Sequence, residues 1–182
     1  MKLEKYIGSG LSSNIFQLQD EETKKQFALK QVKIEKIRNI EIIKEIKGKN
    51  ISYMPKLIDY AVKADYIYLL EEWIHGETLY SLSRKRINFA NMIRWKNQIY
   101  CGVEHLHNQA GCIVHGDITP SNIMISKNKD AYLIDLQSSD FAGNMSNVWF
   151  ASKAYTTFFS YKTGILTKET DYYAIERSFS LT

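Results

Sequence analysis

Short apolar runs alternate with polar clusters through the first part of the chain. Tyr6-Ile7, Ile15-Phe16-Gln17-Leu18 and Phe27-Ala28-Leu29 are separated by Gly/Ser and by Asp/Glu/Thr/Lys stretches. That pattern predicts strands joined by turns, a β-meander over residues 5–34. Isoleucines then recur at positions 34, 37, 40, 43 and 46 with no Pro or Gly between them. Their spacing predicts a helix over 34–47 ended by Gly48, although isoleucine is a weak helix former. A strand pair around Leu57-Ile58 and Tyr66–Glu71 follows, and His75-Gly76-Glu77 breaks the pattern. Met92, Trp95, Ile99, Val103 and Leu106, three or four apart, predict a long buried helix over 89–109. Two short strands, Ile123-Met124-Ile125 and Tyr132-Leu133-Ile134, flank a polar turn at Lys127–Asp130. From Gln137 to Thr167 the periodicity dissolves into Ser, Asn, Thr and scattered aromatics, the signature of a long functional loop.

Composition narrows the class without changing this outline. With 182 residues, 45% apolar and 24% charged, the chain matches an ordinary globular protein. A net charge of +4, dispersed along the sequence, argues for no nucleic-acid partner, and the run Lys44–Lys49 reads as a solvated helix end. The start MKLEKYIGSG lacks the apolar stretch of a signal peptide, and no window reaches the ~18 apolar residues of a membrane span. Cys101 and Cys112 show neither CxxC nor metal-ligand spacing and sit in apolar surroundings, which predicts buried free thiols in a reducing, cytoplasmic compartment.

The chemistry concentrates in His115-Gly116-Asp117-Ile118-Thr119-Pro120-Ser121-Asn122, followed after the strand pair by Asp135. A lone Asp in a loop is usually a turn former. Here the order H-x-D-x-x-x-x-N, then Asp after a hairpin, resembles the catalytic loop and metal-binding Asp of protein kinases. The approach Gln98-Ile99…Gly102-Val103…Leu106-His107…Ile113-Val114-His115 is similar to the helix leading into that loop. Gly8-Ser9-Gly10-Leu11-Ser12-Ser13 resembles the family's phosphate loop with Ser13 at the third glycine, since glycine lets backbone N–H groups approach phosphate. Lys30 in Phe27-Ala28-Leu29-Lys30 stands where the family presents the lysine that grips the α- and β-phosphates. Tyr68–Gly76 resembles the hinge strand, with adenine expected against Glu72 and Ile74.

The resemblance runs from about Tyr6 to Ala174 and implies a two-lobed α+β fold. A β-rich small lobe would occupy residues 1–74 and a truncated helical lobe 75–182, with ATP and Mg²⁺ between them. It implies Asp117 as the catalytic group at the substrate hydroxyl, with Lys30 on the nucleotide. Asn122 and Asp135 would be the metal ligands, because Mg²⁺ prefers carboxylate and amide oxygens. The carboxylate that should aim Lys30 is ambiguous. Alignment of the isoleucine pattern puts Asn39 at the family position, counting back from Pro55 with one extra residue selects Glu41, and Glu45 is a weaker choice. Glu71, at the usually apolar end of the hinge strand, is a further candidate, because a buried glutamate would need a cationic partner. Spacing favours Glu41.

Departures from the family pattern bear on the substrate. Gly116 replaces the usual Arg, Thr119 the usual Lys, and Leu136-Gln137 the Phe-Gly after the metal-binding Asp. Losing the Arg makes switching by loop phosphorylation less expected. The H-G-D form also occurs in small-molecule kinases of this fold. Thr170-Asp171-Tyr172-Tyr173 resembles the start of the helix whose Asp secures the catalytic loop, and the sequence ends soon after it. This is similar to the short effector kinases that some bacterial pathogens inject, so export is also compatible, and an activating protein partner is expected. The implied activity is Ser/Thr protein phosphorylation. Its rivals are a small-molecule phosphotransferase and a non-catalytic binding module on the same scaffold.

Overall fold

The structure, a computed structural model, describes residues 1–9, 13–146 and 153–180. Five antiparallel strands form the first half: β1 (Lys2–Ser9), β2 (Ser13–Gln19), β3 (Gln26–Lys33), β4 (Leu57–Lys63) and β5 (Tyr66–Glu72). Their order is β1-β2-β3-β5-β4, so β3 lies at the centre, between β2 and β5. Period-two alternation fixes the register of the central pair. Ile67, Leu69 and Glu71 of β5 point to the buried face, and Leu69 lies opposite Lys30 while Glu71 lies opposite Ala28.

The single helix expected over 34–47 is broken in two. A 3₁₀ turn covers Ile34–Lys36, the chain extends through Ile37, and α1 (Ile40–Ile46) begins only after Asn39, whose side chain accepts from the Glu41 amide. Isoleucines at intervals of three suit a 3₁₀ turn as well as an α-helix, and a run of β-branched residues has little intrinsic drive to choose between them. The N-cap decides where the α-helix starts.

In the second half, β6 (Gly76–Thr78) leads into α2 (Leu79–Leu82) and the long α3 (Phe89–His107). The elements β7 (Ile113–Val114), β8 (Ile123–Ser126), β9 (Ala131–Leu133) and β10 (Asp140–Phe141) make two small sheets, β6-β8-β9 and β10-β7. The helices α4 (Phe158–Thr163) and α5 (Lys168–Phe179) complete the described residues. Part of the segment expected as a loop over 137–167 is therefore regular: β10, a 3₁₀ turn at Lys153–Tyr155, and α4. The expectation for the cysteines is also corrected. Cys101 is exposed and Cys112 half-buried, since Cys101 falls off the face of α3 that carries Met92, Trp95, Ile99, Val103 and Leu106.

One apolar cluster joins the two halves, running from Val32, Ile42 and Ile67 through Ile99 and Val103 to Leu133 and Ile175. The Ile51–Met54 connector is the bridge. Leu133 N–H donates to Tyr53 O (2.8 Å), and Ser52 N–H donates to His105 Nδ1 (3.1 Å). Gly102 permits that approach, because a Cβ there would fall 2.7 Å from Ser52 O.

The loop after β7 is held from α5. Asp171 is fully buried, and its two oxygens accept the backbone N–H groups of His115 (2.8 Å) and Gly116 (2.9 Å), with His107 Nε2 2.9 Å from Oδ2. His115 is also fully buried. Asp117 N–H donates to its Nδ1 (3.3 Å) and Nε2 faces Ile134 O (3.2 Å), so one neutral tautomer with hydrogen on Nε2 satisfies both. Burial holds the ring's pKa below its ordinary 6.5, against the opposing charges of Asp171 and Asp135.

Both the close approach at Gly102 and the buried imidazole lead to stability predictions. Gly102→Ala should destabilise the fold by about 1 kcal/mol in urea melts, because crowding of Ser52 costs ~1–3 kcal/mol against the ~1 kcal/mol gained in helix propensity. For His115 the variable is pH. The unfolded chain protonates His115 near 6.5 and the folded chain does not, so the unfolded state binds more protons as pH falls. Stability should thus be full above about pH 6.5 and drop by up to ~1.4 kcal/mol per pH unit below it. Urea midpoints measured between about pH 5 and 8 should fall more steeply for the wild type than for His115→Gln, and equal slopes would contradict the assignment.

Candidate active site

Between the sheet and the second half lies a cavity of about 770 Å³. Its walls come from Ile7, Ser13, Ile15, Ala28 and Lys30 of the sheet, Glu71–Ile74 at the end of β5 and just beyond it, and Asp117, Asn122 and Asp135 from below. Volume and lining suit a nucleotide-sized ligand: mostly apolar walls with a few converging polar groups.

Lys30 is the buried cation of this cavity. Its Nζ lies 2.8 Å from Glu71 Oε2, and both side chains are at least nine-tenths buried. The register explains the pairing. Lys30 and Glu71 share one face of adjacent strands and sit on a diagonal, with only the small Ala28 directly opposite Glu71. Burial works against the ammonium's charge, but Glu71 and Asp135 outweigh it and raise the lysine's pKa. An ammonium carries three N–H donors, so the contact with Glu71 leaves the buried Nζ with donors for another acceptor.

This corrects the expectation for the lysine's partner. Glu41 is exposed and pairs with Lys44 (2.6 Å), and Glu45 pairs with Lys49, both on the solvent side of α1. Because α1 starts late, capped by Asn39, its carboxylates face away from the sheet. The signal that identifies Glu71 is the alternation Ile67, Leu69, Glu71, which puts a carboxylate on an otherwise apolar inner face.

On the opposite wall, Asn122 Nδ2 donates to Asp117 O (2.8 Å) and Oδ2 (2.9 Å). The amide nitrogen is thereby turned toward Asp117, and the amide oxygen is the atom left for a hard cation. Ile134 N–H donates to Asn122 O (2.9 Å), tying this loop to Asp135. Asp135 has φ +72°, an uncommon backbone state for a residue other than glycine, and its Oδ1 accepts from Gln137 N–H (3.3 Å). A carboxylate and an amide oxygen on one wall, facing a buried ammonium with donors to spare, form a donor set that suits Mg²⁺ and a polyphosphate.

The other expected residues are placed as follows. Glu72 and Ile74 line the cavity, but the Glu72 N–H is donated to Lys56 O (3.0 Å) and its carboxylate accepts from Lys56 N–H (3.2 Å). Gly8 lies where β1 shifts register, opposite Ile15, with φ +155°. Gly10 lies outside the described residues. Lys36, Gln137 and Ser138 also line the cavity, beyond the residues that the motifs single out. Lys36 gives no sequence signal, because it sits in a turn that the isoleucine spacing disguises as helix. Gly116 has φ +80°, and a Cβ there would fall 2.6 Å from Leu166 Cδ1 and 2.7 Å from Ser138 O. The absence of an Arg at this position is thus built into the backbone and its surroundings.

Comparison with known proteins agrees with this geometry. The protein kinase domain matches residues 1–175. A probable serine/threonine-protein kinase KIN1 homolog of Enterocytozoon bieneusi is 28% identical over 147 residues, covering 77% of this chain and 24% of that protein. A probable myosin light chain kinase of Dictyostelium discoideum is 31% identical over 134 residues, 66% of this chain and 32% of its own length. Cyclin-dependent kinase C-2 C of Arabidopsis thaliana is 30% identical over 136 residues, 69% of this chain and 20% of its own. The chain thus spans a third or less of the length of these relatives. Every cavity residue from Ile7 to Ser138 falls within the matched span, and the chain belongs to the protein kinase domain family.

Proposed function

We propose that this chain is an ATP- and Mg²⁺-dependent phosphotransferase that moves the γ-phosphoryl group of ATP to a serine or threonine hydroxyl of a protein. The observation that carries the reading is the convergence of Lys30, Asp117, Asn122 and Asp135 on one cavity closed at its far end by the hinge residues 71–74. Residues 1–74 would act as the small lobe and 75–182 as the large one. Among the described residues no helix is long and apolar enough to cross a membrane. The cytoplasm is the proposed compartment.

Each residue has a separable part. Lys30, charged and held by Glu71, directs its remaining N–H donors at the α- and β-phosphates. Asn122 and Asp135 would hold Mg²⁺, which neutralises charge on the phosphates. Asp117, its carboxylate fixed by the Asn122 amide, meets the acceptor hydroxyl and takes its proton as the oxygen bonds to phosphorus and the bond to ADP breaks. The protein supplies position and charge rather than covalent chemistry. A small-molecule acceptor is the second reading, favoured by Gly116, whose cramped backbone keeps the H-G-D form.

Labelled ATP with Mg²⁺, offered to the chain alone and with cell lysate, separates the readings. Label on protein is expected, and a lysate that raises the rate would reveal an activating partner. Label only on a small molecule would support the second reading, and nucleotide binding without transfer would reduce the fold to a scaffold. Asp117→Asn should lower transfer at least about a hundredfold with nucleotide affinity nearly unchanged. Asp135→Asn should abolish transfer and also weaken Mg²⁺-dependent nucleotide binding about tenfold or more. Unchanged turnover in either variant would contradict the role assigned to that carboxylate.

A further inference from the structure

A second buried ion pair lies outside the cavity, between residues 102 apart in the chain. Arg38, in the connector before α1, places Nε 3.0 Å from Asp140 Oδ2, and the two side chains are 2% and 5% exposed. The other oxygen of Asp140 accepts from Asn39 Nδ2 (2.7 Å), from its own neighbour Phe141 N–H (2.9 Å) and from Asn144 Nδ2 (3.1 Å). Arg38 reaches further. Its backbone N–H donates to Gln137 O (2.8 Å), and its guanidinium donates to the carbonyls of Gly164 and Asn144.

These contacts connect the two halves of the candidate site. Gln137, bonded to Arg38 on one side, donates its amide to Asp135 on the other. Asp140 pairs with Val114 in the ladder β10-β7, directly before the loop that carries Asp117. Between them Ser139, fully buried, donates its hydroxyl to His115 O (3.1 Å). The segment 137–141 is thus wedged between the connector into α1 and the loop of Asp117. Its charged anchor is the Arg38–Asp140 pair, and desolvated charges of this kind tolerate little displacement.

We infer that Asp140 and Arg38 are positioning residues: their pair locks the segment after Asp135 against the loop of Asp117 and so sets the spacing of the two carboxylates. Neither residue lines the cavity, so nucleotide binding should be largely independent of them. The kinetic part of this inference rests on the phosphotransferase reading, whereas the locking itself does not.

Native-state hydrogen exchange on the wild-type chain tests the lock first. The amides of Arg38 and Ala142, bonded to Gln137 O and Cys112 O, should be protected about as strongly as those of β3. Exchange at unprotected rates there would overturn the inference whatever the activity. Asp140→Asn, nearly isosteric, should speed exchange across residues 137–146 about tenfold or more while β3 and β5 stay within about threefold. It should lower kcat at least about tenfold with nucleotide Kd within about threefold. Arg38→Lys, which keeps the charge and loses the fork, should retain more kcat than Arg38→Gln. If the wild type transfers phosphate and Asp140→Asn matches it, positioning fails while the function stands. If the wild type transfers none, the function fails and the exchange data still decide the lock.

Discussion

Moving an ammonium and a carboxylate out of water is costly, and the cost is recovered only when each finds the other in good geometry. Lys30 and Glu71 meet that condition on a diagonal of the central strand pair, 2.8 Å apart. The rest of the candidate site depends on this pair. Glu71 keeps the lysine charged at the depth where a phosphate chain would run, and Asp135 adds to the same effect across the cavity. Removing one partner of such a pair typically costs ~3–5 kcal/mol, since the other is left as an uncompensated buried charge. Both residues belong to strands, so the lysine's position is set by sheet register rather than by the placement of a helix.

That arrangement changes what α1 does. Its acidic residues are engaged with surface lysines, and the helix meets the site through its approach instead, where Arg38 and Asn39 hold Asp140. The two buried pairs thus divide the work of alignment. One fixes the buried cation of the cavity, and the other anchors the segment after Asp135 to the connector into α1. Asp171 supplies the third anchor by taking the amides at the start of the Asp117 loop, which leaves Gly116 in a backbone state and a space that no larger residue would fit. Apolar packing through the Ile51–Met54 connector keeps the halves in register.

Much of this is legible in the sequence where one local rule governs. The strands follow from alternation, α3 from its 3.6-residue stripe, and the Asp117, Asn122 and Asp135 constellation from its resemblance to the family's catalytic loop. Legibility fails where two rules give the same signal. Isoleucines at intervals of three fit a 3₁₀ turn and an α-helix alike, so spacing alone misplaces the start of α1, and with it the choice of Glu41 as the lysine's partner. The pattern of β5 already holds the better answer, because Glu71 falls in phase with Ile67 and Leu69. The Arg38–Asp140 pair has no signal of its own, since contacts across 102 residues leave no periodicity. The regular elements among the described residues between 137 and 167 are hidden for a related reason: β10 is only two residues long and draws its partner from β7.

The direct measurement of the central claim is a double-mutant cycle on kcat/KM for ATP, using Lys30→Met, Glu71→Gln and their combination, with Glu41→Gln as the reference. If Glu71 positions the lysine, Glu71→Gln alone should cost about tenfold or more, adding it to Lys30→Met should cost no more than about twofold further, and Glu41→Gln should be near neutral. Additive losses for Lys30 and Glu71, or a strong coupling of Lys30 to Glu41 instead, would contradict it.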